Sequence, residues 1–241
     1  MFFFLNGSLS MANFKTHISV AWIICMVITT VLLGAGLITK INALVYIALG
    51  TLGGILPDID LGDTAASKII FPVISVFFAY VLMFAIIKKT SILLSLLAWV
   101  AVFMLVRYGI LKAFTKFTKH RGIVHSVPSG LLLCFMTAIV VYYGMGKSTI
   151  QAWSCGLFLS FGFFIHLLLD EIYSVDISGA RMKKSFGTAL TIFTYDTWVY
   201  YIILYAAVIV SFLATPDYHP LLNSIYKSYI WQQIHSQLLP W

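Results

Sequence analysis

Seven apolar stretches, uncharged or nearly so, alternate with short polar breaks along the chain: 18–38, 41–56, 69–87, 91–111, 127–146, 150–169 and 197–214. Most approach the ~20 residues that carry an α-helix across a bilayer. The pattern predicts an all-α polytopic membrane protein with about seven spans, within the six to eight that the length allows. The second stretch is the shortest: its 16 residues reach only about 24 Å at ~1.5 Å per residue, so its end is expected at headgroup depth. The first is too long for the apolar core of a signal peptide and lacks a small-x-small cleavage site, so it reads as a retained span. Residues 1–17 read as an N-terminal extension, with Met11 a better start than Met1, and 18–214 as the helical membrane domain. In the tail, 215–241, Leu222, Ile225, Tyr226, Tyr229 and Ile230 fall at helical spacing, which predicts one amphipathic helix over Leu221–Leu238 lying in the interface.

Composition closes the other options. With 61% apolar and 10% charged residues, a soluble globule, a disordered chain and a disulfide-stapled module are excluded. Cys25, Cys134 and Cys155 lie inside apolar runs without C-x-x-C spacing and read as small core residues. A net charge of +7 would suggest nucleic acid for a soluble protein; here it sits in loops with no dense basic run, so membrane lipids and not nucleic acid are the expected partners. With seven spans, Lys15, Lys68, Lys112, Lys116, Lys119, Arg121, Arg181, Lys183 and Lys184 share the amino-terminal side. They outnumber Lys40, Lys88, Lys89, Lys147 and Lys227 on the other side, which predicts a cytoplasmic amino terminus.

The same parity puts four ionisable elements at one face of the membrane: His17 before the first span, Asp58 and Asp60 after the second, His120 and His125 before the fifth, and His166 with Asp170 at the end of the sixth. Charged groups at such depth are costly and mark functional sites. His166 and Asp170, four apart, leave one face of a helix together. Gly122 is expected to break the chain so that His120 and His125 converge. Pro57 disfavours helix at Leu56, which predicts an extended segment with Asp58 and Asp60 facing the same way. Ser126 is the expected N-cap of the fifth span, with Pro128 in its first turn. Gly50, Gly53 and Gly54 lack the Lys-Ser/Thr of a phosphate loop and read as close helix packing.

Taken singly, each element also has a structural explanation. His17 fits a headgroup-level polar residue, Asp58 and Asp60 fit a cap or a solvated loop, and His120 with Arg121 fits lipid-headgroup contact. Taken together, the mixed imidazole and carboxylate donors suit Zn²⁺ first, or Mn²⁺ or Fe, and seven donors exceed one tetrahedral ion. One or two divalent ions at the membrane boundary would serve hydrolysis of a phosphoester or lipid-linked ester, with Asp58, Asp60, His120 and His125 nearest the chemistry. Glu171, Asp176 and Asp196 are candidates to orient the histidines, and Arg121, Lys183 and Lys184 to hold an anionic substrate. A metal-ion transporter or sensor is the first rival, since intramembrane His and Asp also mark ion paths.

His17, Leu-Pro-Asp-Ile-Asp at 56–60, His-Arg-Gly-Ile-Val-His-Ser at 120–126 and His-Leu-Leu-Leu-Asp at 166–170 resemble, in order and spacing, the family of LexA-binding, inner-membrane-associated hydrolases, also described as predicted membrane-bound metal-dependent hydrolases. The resemblance implies a bacterial inner-membrane protein whose metal ligands are His17, Asp58, Asp60, His120, His125, His166 and Asp170. It supplies no substrate. It adds a second rival from the family's own name: a membrane-anchored interaction protein for a cytoplasmic regulator.

Overall fold

The structure, a computed structural model, describes residues 14–60, 65–110, 123–176, 181–182 and 190–238. Each apolar run forms a helix: α1 (Phe14–Gly34), α2 (Lys40–Gly53), α3 (Ala65–Ile86), α4 (Ile92–Met104, continued by a π-helical turn, Leu105–Ile110), α5 (Val127–Ile139, continued by a π-helical turn, Val140–Gly144), α6 (Thr149–Ser174) and α7 (Trp198–Ala214). Five are long and apolar enough to cross a membrane: α1, α4, α5, α6, and α7 with its leading 3-10 turn (Tyr195–Thr197). Shorter apolar helices are α2 and the part of α3 at Ser75–Phe84. The protein is a polytopic helical membrane protein, with one small ladder beyond α6 in which β1 (Val175–Asp176) pairs antiparallel with β2 (Arg181–Met182).

α6 is the hub, packed on α1, α2 and α5, with α7 outside α5. Its apolar window is 67% buried against 22% for α1 and 11% for α4. Lipid is as apolar as leucine, so helices gather here through close packing of small residues. The buried stripe of α1 is His17, Ala21, Cys25 and Thr29, one residue per turn. α2 answers with Gly50 and Gly53. A Cβ at Gly50 would strike Cys25 Sγ, one at Gly53 the Leu159 carbonyl, and one at Gly162 the Gly50 carbonyl, so the glycines are packing residues, as their sequence suggests. Thr39 caps α2 by accepting from Asn42 N–H at 3.2 Å. Gly36, at φ +70°, ends α1 in a left-handed turn that β-carbon-bearing residues resist.

α3 and α4 form a separate hairpin. α3 packs on α4 and meets the remaining bundle chiefly at its two ends, where it touches the 3-10 turn Leu56–Asp60 and the turn Val140–Gly144.

Three local expectations are corrected. The segment after α2 is not extended: Leu56–Asp60 is a 3-10 helix in which Asp58 N–H donates to Ile55 O at 3.1 Å. Pro57 fits the start of such a turn, where its missing N–H costs nothing, and a 3-10 turn of about 120° per residue replaces the strand alternation. Ser126 occupies the N-cap position with extended dihedrals, but its hydroxyl makes no capping bond. It donates to Ile123 O at 2.5 Å instead, beside Ser129, which donates to the same carbonyl at 2.7 Å. The tail forms two helices, α8 (His219–Tyr226) and α9 (Ser228–Leu238), broken at Lys227 in an extended conformation. The Trp231 indole donates to Ile225 O at 2.8 Å and takes up a carbonyl that the break releases.

Candidate metal centre

Four elements deliver ionisable side chains to one point. The first turn of α1 carries His17, the 3-10 turn after α2 carries Asp58, the approach to α5 carries His125, and the last turns of α6 carry His166 and Asp170. α6 runs past Leu169, where the apolar run stops, to Ser174, and that extra length keeps Asp170 on the same helical face as His166.

Asp170 is the meeting point. Its Oδ1 lies 3.2 Å from His17 Nε2, and its Oδ2 lies 3.3 Å from His166 Nε2 and 4.0 Å from His125 Nε2. Asp58 Oδ1 stands 3.6 Å from His166 Nε2. The His17 and His166 rings stack with centroids 3.8 Å apart, both almost fully buried at 2% and 0% exposure. Asp170 and Asp58, at 19% and 24%, keep an edge toward solvent.

His166 is oriented from behind. Its Nδ1–H donates to the Gly54 carbonyl at 2.8 Å, which leaves Nε2 as the atom turned toward the carboxylates. That carbonyl reaches the ring because Gly54 is wedged against α1: a Cβ there would meet Ala21 Cβ at 2.5 Å. His166 Nε2 is buried and makes no hydrogen bond, although two carboxylate oxygens are within 3.6 Å. Nitrogen and carboxylate oxygens held this close need a cation between them, a proton or a metal ion.

The donor set fits a metal ion. His17, Asp58 and His166 form one group, and His125, His166 and Asp170 another, each with ligand atoms within 4.8 Å of one another. Donors held ~2.1 Å from a tetrahedral ion lie about 3.4 Å apart, close to the separations of 3.2 to 4.0 Å found here. His166 has one lone pair to give, so two groups sharing it mark a single ion position. Burial pushes the Asp58 carboxyl above its usual range, partly offset by His166 and His17 and reinforced by Asp170.

Five of the seven ligands suggested by sequence therefore meet: His17, Asp58, His125, His166 and Asp170. The side chain of Asp60, and His120 with Arg121, Lys183, Lys184 and the side chain of Asp176, lie outside the described residues. Asp196 is exposed. Sequence reading missed the Gly54 carbonyl as the partner of His166; the glycine cluster around it was the available signal.

Residues 11–230 match the family described as YdjM inner membrane protein, whereas no curated protein and no solved structure matches the chain. With the whole membrane domain covered, the chain belongs to the YdjM inner membrane protein family.

Proposed function

We propose that this protein is a membrane-bound metal-dependent hydrolase acting on a phosphoester or lipid-linked ester at the cytoplasmic membrane interface. The observation that carries the reading is His166 Nε2, buried, oriented by Gly54 and facing two carboxylates without a hydrogen bond. His166, Asp170 and Asp58, with His17 and His125 beside them, would hold one divalent ion, Zn²⁺ first and Mn²⁺ or Fe²⁺ as alternatives. Such an ion supplies a Lewis acid that makes a bound water acidic near neutral pH. Asp170 spans His17 and His166 and positions both rings; Asp58, the most exposed of the carboxylates, is placed to take up a proton at the open edge. The cytoplasmic side follows from the distribution of Lys and Arg.

A cluster at one end of the bundle favours a hydrolytic centre over an ion path, which would place ligands at successive depths. The test is the metal content of the detergent-purified protein by plasma mass spectrometry, beside His166→Ala with Asp170→Ala. Wild type is expected to hold one equivalent of Zn, Mn or Fe, and the variant none. Absence of metal after reconstitution with each ion would leave the interaction protein in front. Metal uptake into liposomes that depends on His166, without hydrolysis of any phosphoester or lipid, would favour the transporter.

A further inference from the structure

Between α2, α3, α5 and α6 lies an apolar cavity of about 470 Å³, within the ~300–1,000 Å³ usual for small-molecule sites. It follows α2 over its whole length, from Ile41 to Leu56, roughly 20 Å at ~1.5 Å per residue. Leu56 belongs to the same 3-10 turn as Asp58, so one end of the cavity adjoins the His/Asp centre. Asn42, Lys147 and Gln151 stand at the other end. The cavity exists because α3 meets the bundle at its ends and stands off between them. Its lining residues Ile41, Val73 and Phe77 are exposed, so it opens sideways to the hydrocarbon of the bilayer.

We propose that the cavity seats one acyl chain of a membrane phospholipid, head group toward the His/Asp centre and methyl end toward Lys147. Three observations converge on that occupant. Asn42, Lys147 and Gln151 gather at one end, and from there to Leu52, Leu56 and Leu159 the walls are apolar except at Tyr46 and Thr137, which suits a hydrocarbon chain and gives a peptide backbone few partners. The length of roughly 20 Å accommodates one extended acyl chain that reaches past the ~15 Å of one leaflet's hydrocarbon, whereas a polyprenyl chain several times longer would overrun the far end. The end lined by Leu56 adjoins the turn that carries Asp58, next to donors suited to a cation and an anionic ester, whereas the far end has Asn42, Gln151 and a lysine that can snorkel to water. The chain's seat is independent of catalysis; only the fate of the head group rests on the hydrolase reading.

The experiment uses the full-length protein in phospholipid vesicles containing phosphatidylglycerol with a diazirine at the terminal carbon of one acyl chain. After photolysis, labelled peptides are mapped by mass spectrometry. Labelling is expected around Ile41–Val45 and Met145–Gln151. Filling the cavity with Thr137→Trp or Val45→Trp should lower it at least tenfold, while Ile209→Trp on the lipid face of α7 leaves it unchanged. Labelling concentrated at Leu52, Leu56 and Leu159 would mean the reverse orientation and overturn the proposal, as would equal labelling of filled and control variants. Stronger labelling by a diazirine-tagged polyprenyl phosphate would also overturn it. If a filled variant fails to insert, the wild-type map alone decides. Metal content, read on the same samples, separates the two readings: chain labelling at the expected end without metal sinks the hydrolase and keeps the cavity, and metal without that labelling does the opposite.

Discussion

α6 and α4 are both apolar helices of membrane-spanning length, yet α6 is 67% buried over its apolar window and α4 only 11%. Around α6, contact is made by absent side chains: Gly50, Gly53, Gly54 and Gly162 bring backbones together and leave no room for a Cβ. In the α3–α4 hairpin contact is made by large rings, Tyr80 on Trp99 and Trp99 on Phe103. Each region also buries a nitrogen that makes no hydrogen bond, His166 Nε2 in one and Trp99 Nε1 in the other. Glycine packing fixes backbone positions to within tenths of an ångström, which a metal centre needs. Ring packing tolerates slack, and the stand-off of α3 leaves space for a lipid chain. The two buried nitrogens thus have different surroundings: His166 Nε2 faces two carboxylates, and Trp99 Nε1 stands among rings.

The largest effect expected is on the ion. His166→Ala should weaken metal affinity by about a thousandfold, ~4 kcal/mol at ~1.4 kcal/mol per decade, measured by competition with a chromogenic chelator; retention of wild-type affinity would detach His166 from the site. Next comes packing. Gly162→Leu should destabilise the protein by about 3 kcal/mol through overpacking against α2, whereas Gly109→Leu at the exposed end of α4 should cost under about 0.5 kcal/mol. Thermal unfolding in detergent compares the two, and equal costs would erase the distinction between the regions.

A smaller effect is a pH signature at Asp58. Its pKa is raised in the fold by burial, so in metal-free protein its contribution to stability is present below the unfolded pKa and lost as pH rises through the folded one. Metal-free Asp58→Asn should therefore melt above metal-free wild type at pH 7.5, and the gap should close on acidification as the wild-type carboxyl takes up its proton. With metal present the order should reverse. The smallest effect is at Trp99: Trp99→Phe, which removes an indole N–H that makes no bond, should leave stability within about 0.5 kcal/mol or raise it slightly. A loss above ~1 kcal/mol would reveal an indole partner and remove the contrast with His166.

The helices and the site motifs were legible for one reason: both are written in side chains. Apolar runs mark the spans, and costly polar residues at their ends mark the centre, so that loop parity alone brought His17, Asp58, His125, His166 and Asp170 to one face. What sequence reading missed belongs to the main chain. Pro57 was compatible with both an extended segment and a 3-10 turn, and packing of that turn against α3 and α6 selects the second. Ser126 satisfied the sequence rule for a cap, yet the Ile123 carbonyl claims its hydroxyl. The break at Lys227 is stabilised by a tryptophan bond that no local periodicity records.

The bond from His166 to the Gly54 carbonyl has a consequence for how such proteins diverge. An orienting aspartate can be lost in one codon change and is visible as a charged letter; a main-chain oxygen is supplied by whatever residue stands at the position. What position 54 must supply is small size, since a larger residue would push α1 away through Ala21 and carry the carbonyl with it. The orientation of His166 thus rests on a limit on size, and a search for its supporting residues among polar letters alone would pass over it.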